Sequence, residues 1–161
     1  MGKSKKKTNA MRLLDEQGLD YDSHTYEVTD GKIDGVSVAH KVDRDPRIVY
    51  KTLVTQGTSQ AVYVFVIPVA EALDLKKAAL AAGEKKIEML AVKDLLKWTG
   101  YIRGGCSPIG MKKLYPTFIA NQANQLDTIV VSGGKIGVQI ELTVNHLQAL
   151  TEGKLADIVK G

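Results

Sequence analysis

An α+β fold, with helices packed on a mixed, mostly antiparallel sheet, is what this chain predicts. Two pairs of strand-like segments, Ile48–Gln56 with Gln60–Ile67 and Asp127–Val131 with Lys135–Leu142, are joined by turns too short for a crossover, so each pair is antiparallel. Capped helical segments interrupt the strands without any regular βαβ repeat. No internal repeat or interdomain linker breaks the pattern.

Thr8 can cap a first helix to about Gln17, with Ala10, Leu13 and Leu14 inward and Gly18 as its stop. Tyr21–Val28 reads as a strand. Ser37 can cap a short helix over Val38–Val42, closed by Asp43-Arg44-Asp45-Pro46-Arg47. The first hairpin turns over Gly57-Thr58-Ser59, and Pro68 limits its second strand. Asp74 opens a helix stopped by Gly83, and Val92–Thr99 forms another stopped by Gly100, each glycine standing where a left-handed residue is expected. A strand at Thr117–Asn121, the polar connector Gln122–Leu126 and a hairpin turning over Ser132-Gly133-Gly134 follow. Thr143 caps a last helix to Leu150, and Leu155–Val159 forms a final strand or tuck.

At 161 residues, the chain is expected to form one domain over 1–161, with residues 1–7 as a flexible basic lead. A composition 44% hydrophobic and 25% charged is that of a globular protein. The apolar run Ala61–Ala70 is too short to span a bilayer, and no secretory apolar region follows Met1, so a cytoplasmic location is expected. One cysteine, Cys106, excludes an internal disulfide. His24, His40 and His146 lack ligand spacing, so neither a metal nor a cofactor is expected. The 22 basic residues exceed the 18 acidic ones by only four, which argues against a protein built mainly to coat nucleic acid.

The chemistry concentrates in Gly100–Lys113, GYIRGGCSPIGMKK. Glycines leave backbone polar groups uncovered, Pro108 fixes the exit, and Arg103, Lys112 and Lys113 stand nearby. Such a loop can cradle an anion or a developing oxyanion, and it is also what an ordinary tight surface loop looks like. The G-K-[ST] ending of a phosphate-binding loop and a G-x-S-x-G elbow are absent. Cys106, beside Arg103, has no protease signature around it, and a packed loop residue is the simpler reading. Lys51 shares a strand face with Val49 and Leu53. Its ammonium either snorkels to water or points into a pocket to hold a carbonyl, carboxylate or phosphate. Tyr26 and the turn Ser132–Gly134 could line such a pocket.

Together the segments KTNAMRLLDEQGLDYDSHTY, VYKTLV, GYIRGGCSPIGMKK and TIVVSGGKIGVQIEL resemble the bacterial YbaK-type Cys-tRNA(Pro) deacylases. These belong to the superfamily that also occurs as an editing domain inserted in prolyl-tRNA synthetase. The resemblance runs over nearly the whole chain. It implies the curved sheet of that fold and hydrolysis of the ester joining cysteine to the 3′ end of tRNA(Pro), acting in trans. A synthetase pocket rejects a near-isostere by only about 10–200-fold, which is why such an enzyme is needed. The family's strand lysine falls on Lys51, its G-x-x-x-P loop on Gly104 to Pro108, and its glycine hairpin on Ser132, Gly133 and Gly134. By that resemblance Lys51, Gly104, Gly105 and Ser107 are the catalytic candidates. Tyr26, Cys106, Pro108, Ser132, Gly133 and Gly134 are the substrate-binding ones, although the Cys106 position is not fixed as cysteine in the family. The implied partners are the aminoacylated 3′ end of tRNA and prolyl-tRNA synthetase, with no membrane. A cysteinyl ester brings its own nucleophile, which accounts for the missing catalytic dyad. Three other readings stay open: a deacylase for another small amino acid such as alanine, a non-catalytic module that binds an aminoacyl end or a synthetase, and, last because no nucleotide motif is met, a small-molecule phosphate binder using the glycine loop.

Overall fold

A computed structural model describes residues 7–161, so the expectation for the basic lead falls, except for Lys7, outside the described residues. Helix α1 (Asn9–Glu16) starts where Thr8 Oγ1 accepts the Met11 N–H at 3.2 Å, and it buries Ala10, Met11 and Leu14. Strand β1 (Asp22–Thr25) is shorter than the sequence suggested. The chain then leaves it through a loop that Lys41 ties down, its ammonium donating to the carbonyls of Glu27 (2.7 Å) and Lys32 (2.8 Å) and to the Asp30 carboxylate (2.7 Å).

Helix α2 (Gly35–Lys41) begins earlier than predicted, because Asp34 rather than Ser37 is its cap, the carboxylate accepting the Ser37 N–H at 3.1 Å. Gly35 is required there, since a Cβ would lie 2.4 Å from Val69 Cγ1. Strands β2 (Tyr50–Gly57) and β3 (Val62–Pro68) form the expected hairpin. Helix α3 (Leu75–Ala82) is capped by Asp74 and stopped by Gly83 at φ 73°, as its sequence signals require. Strand β4 (Ile87–Met89) was not anticipated: three residues are too few to carry a periodicity, and pairing with β2 creates it. Helix α4 (Val92–Thr99) ends at Gly100, φ 86°.

Strand β5 (Thr117–Ala120) leads into a 3-10 turn over Asn121–Gln125, where only a connector was expected. Strands β6 (Ile129–Lys135) and β7 (Val138–Leu142) pair as predicted, but the turn does not lie at Ser132–Gly134. Those residues belong to β6, which shifts register between Ser132 and Lys135, and the chain reverses at Ile136-Gly137, with Gly137 at φ 94°. Helix α5 (Val144–Thr151), capped by Thr143, and strand β8 (Lys154–Ala156) complete the fold.

Two sheets form where one was expected. The first is antiparallel, in the order β1-β7-β6. The second, β4-β2-β3-β5-β8, is mixed: β4, β2 and β3 run antiparallel, while β5 pairs in parallel with both β3 and β8. A single parallel bridge, Val49–Val130, joins them, with the Val130 N–H donating to the Ile48 carbonyl at 2.8 Å. The main core runs between them through Phe65, Ile67, Ile119, Ile129, Ile140 and Leu147, all fully buried. Each such side chain stabilises the fold by about 1.5–3 kcal/mol. The sheets therefore meet beside the start of β2, and no strand pairing joins them beyond that bridge among the described residues.

Candidate active site

A cavity of about 120 Å³ opens where the sheets part. Its apolar wall is Ile33, Val38, Val49 and Val69, and its polar wall is Tyr26, Tyr50, Lys51, Thr52, Ser132 and Gln139. Gly35, Gly104 and Cys106 complete it. Lys51 is half-buried, and its ammonium makes no hydrogen bond or ion pair among the described residues; burial pushes its pKa below the ordinary lysine value, with the Glu71 charge opposing the shift.

The hydroxyls of Tyr26, Tyr50 and Thr52 are buried without a partner among the described residues, and all three residues line this cavity. An unpaired buried hydroxyl costs about 1–3 kcal/mol. Three such residues meet at this one cavity. Burial also raises the Tyr50 phenol to about 12, so it stays a neutral donor and acceptor. No carboxylate and no imidazole lines the cavity.

The Gly100–Lys113 loop is held from several sides. The buried Tyr101 donates its hydroxyl to the Ile109 carbonyl at 2.6 Å, and Asn9 Nδ2 donates to the Gly110 carbonyl at 3.1 Å. Gly104, at φ 88°, brings bare backbone to the cavity, where a Cβ would lie 2.9 Å from Ile33 Cδ1. Gly105 packs against the β6–β7 turn, and a Cβ there would lie 2.8 Å from the Ile136 nitrogen.

The structure thus brings Lys51, Tyr26, Gly104, Cys106 and Ser132 to one cavity. Ser107 is fully buried outside the cavity lining, its hydroxyl accepting the Ile109 N–H at 3.2 Å. Pro108 lines a separate depression with Leu13 and Met111–Tyr115. Gly133 and Gly134 shape the bulge: Gly133 faces Val138, and Gly134, at φ 99°, lies under the Tyr101 ring. The Cys106 thiol, buried and pushed up to about 12 by that burial, is protonated at neutral pH. Sequence reasoning missed Tyr50, Thr52 and Gln139. Gln139 alone carried a signal, as a polar side chain among the apolar positions of β7, where it is buried.

Among the described residues no three His, Cys, Asp or Glu side chains could together hold a metal ion, and no helix is long and apolar enough to cross a membrane.

A lysine, bare glycine backbone and unpartnered hydroxyls thus surround one small cavity on a two-sheet α+β scaffold. The profile of the aminoacyl-tRNA editing domain matches residues 34–150, and the chain belongs to that family. It is 46% identical over 156 residues to a protein of Enterococcus faecalis (strain ATCC 700802 / V583) that bears the provisional name Cys-tRNA(Pro)/Cys-tRNA(Cys) deacylase EbsC, covering 97% of this chain and 95% of that one. Among solved structures, the fold matches one described provisionally as a trans-editing enzyme for prolyl-tRNA synthetase (TM-score 0.81, 22% identity, covering 98% of this chain and all of the other). It also matches a protein described only as hypothetical (TM-score 0.86, 18% identity, covering 95% of this chain and all of the other).

Proposed function

We propose that this chain deacylates Cys-tRNA(Pro) in trans, with the substrate's own thiol as nucleophile. The observation that carries the reading is a cavity with a lysine and unpartnered hydroxyls but neither carboxylate nor imidazole in its lining. Water activation by a general base needs such a group within hydrogen-bond reach, whereas a cysteinyl ester needs only to be folded onto itself. A cavity of about 120 Å³ suits six non-hydrogen atoms, since a cavity of about 150 Å³ holds benzene. The name given to the Enterococcus relative points to the same substrate.

In this reading the thiol sulfur attacks the ester carbonyl, a carbon–sulfur bond forms, and the carbon–oxygen bond to the ribose breaks. The thiol proton leaves with the ribose oxygen, and the released β-thiolactone is opened by water. Lys51 holds the carbonyl oxygen as charge develops there, and the backbone of the Gly104–Cys106 turn seats the terminal ribose. Gly105, Ser107, Pro108, Gly133 and Gly134 act as scaffold that fixes this turn and the β6 bulge. Docking on prolyl-tRNA synthetase would supply the tRNA selectivity that a net charge of +4 does not.

The test is a panel of tRNA(Pro) charged with cysteine, alanine or serine in molar excess over protein, run on wild type and Lys51→Ala. Multiple turnover on the cysteinyl ester, serine slower by about two orders of magnitude or more and a Lys51→Ala rate at background support the reading. Equal rates on alanine transfer it to a general small-residue deacylase. Stoichiometric binding without turnover makes the protein a carrier.

A further inference from the structure

The edge of β2 that faces away from β3 is left unpaired at Thr52, which lines the cavity. The Val49 carbonyl accepts the Val69 N–H at 2.8 Å, so odd-numbered peptide groups of β2 face β3. The Ile48 carbonyl accepts the Val130 N–H at 2.8 Å and the Val54 carbonyl accepts the Leu90 N–H at 3.0 Å, so even-numbered groups face the opposite edge. Along that edge β6 pairs only at Val49–Val130, and β4 pairs only from Thr55 onward. Between these, the N–H and C=O of Thr52 face outward without a ladder partner among the described residues, and Thr52 lines the cavity. A strand edge with its peptide groups unspent is a template for extended backbone.

We propose that this gap is the receptor for the aminoacyl group, which binds as a single residue of an antiparallel pair; the inference rests on the deacylase reading above. In a hydrogen-bonded antiparallel pair, one residue donates its N–H to, and accepts the N–H of, the residue opposite. An aminoacyl ester carries the same two groups: its α-ammonium donates to the Thr52 carbonyl, and its ester carbonyl accepts the Thr52 N–H. The hydroxyls of Tyr26, Tyr50 and Thr52, unpartnered and on the same cavity, accept the remaining ammonium hydrogens. The Lys51 ammonium repels that cation, so it belongs at the carbonyl end. Recognition of the amino acid's backbone then falls to a peptide edge and leaves the side chain to the apolar wall. This is the edge-addition mode of peptide recognition, reduced to one residue.

The experiment records amide hydrogen exchange across the full chain, with and without L-cysteine joined by an amide to 3′-amino-3′-deoxyadenosine, a ligand that cannot be hydrolysed. The Thr52 amide is expected to slow at least tenfold on saturation, while Lys51 and Leu53, already facing β3, do not change. Binding that leaves Thr52 unchanged overturns the proposal, and so does absence of binding at millimolar ligand. A second arm compares cysteinyl-tRNA with 3-mercaptopropionyl-tRNA, which keeps thiol and ester but lacks the amine. At least a tenfold loss in kcat/KM is expected, and equal rates overturn the proposal. Should cysteinyl-tRNA itself not turn over while Thr52 is protected by the analogue, the deacylase reading fails and the receptor stands.

Discussion

Cys106 and Lys51 illustrate how surroundings decide chemistry. The thiol lies in the glycine loop beside Arg103, yet only 9% of the residue is exposed, and burial holds the sulfur protonated with a pKa of about 12. Native protein at pH 8 should therefore resist iodoacetamide, with modification appearing only on unfolding; rapid labelling of the folded protein by mass spectrometry would contradict this. Cys106→Ser should retain deacylation within about threefold. Lys51 has the opposite character, half-buried and unpaired among the described residues. Its lowered pKa means the ammonium is lost at a pH below the ordinary lysine value of 10.5. A step that needs the cation should decline as pH rises through that lowered value. The difference between wild type and Lys51→Met in binding of the amide-linked analogue across pH 7 to about 10.5 measures this without alkaline ester hydrolysis, since the ligand's own amine and thiol titrate alike in both.

Elements hold these side chains in place. Glu141 on β7 joins three of them: it accepts from His24 Nε2 on β1 and from Arg44 Nε beyond α2, both at 2.8 Å, and from Thr128 before β6 at 2.6 Å. Burial alone would raise its carboxyl, but the hydrogen bonds from Thr128, His24 and Arg44 together outweigh that and hold it at about 2. A pKa depressed from 4.5 contributes stability that is present above about 4.5 and lost as pH falls toward 2. Glu141→Gln should cost about 1–3 kcal/mol at pH 7 and flatten acid unfolding over that window; thermal melts at pH 7 and pH 3 measure both effects. Gly105→Ala directs a methyl at the backbone of the β6–β7 turn, 2.8 Å from the Ile136 nitrogen. Backbone cannot rotate away as a flexible side chain can, so deacylation should fall at least tenfold with a loss of about 1–3 kcal/mol. Unchanged kcat/KM in that variant would show that the turn tolerates displacement.

Across the whole molecule, two sheets joined at Val49–Val130 create the site by separating beyond that bridge. A net charge of +4 gives such a protein little hold on a polyanion. The dependence of kcat/KM on salt should be shallow, with a log–log slope between about −1 and −3; a slope near −6 would mean a far larger phosphate contact. Much of this architecture was legible. The caps at Thr8, Asp74 and Thr143 and the stops at Gly83 and Gly100 stand where local backbone chemistry required them. Strand β4 and the β6 bulge were not legible, because each exists through its pairing partner.

The residue pattern by itself determined the caps at Thr8, Asp74 and Thr143, the stops at Gly83 and Gly100 and the pairing of β2 with β3 and of β6 with β7, since each depends on neighbours a few positions apart. Tertiary structure alone decided that Ser107 is buried, that Tyr50 and Thr52 line the cavity, and that Thr52 falls between the stretches of β2's outer edge that β6 and β4 pair with. Those outcomes depend on which distant strand lies alongside and where it turns away. No local run of side chains encodes that, because backbone hydrogen bonding is the same for nearly every residue type.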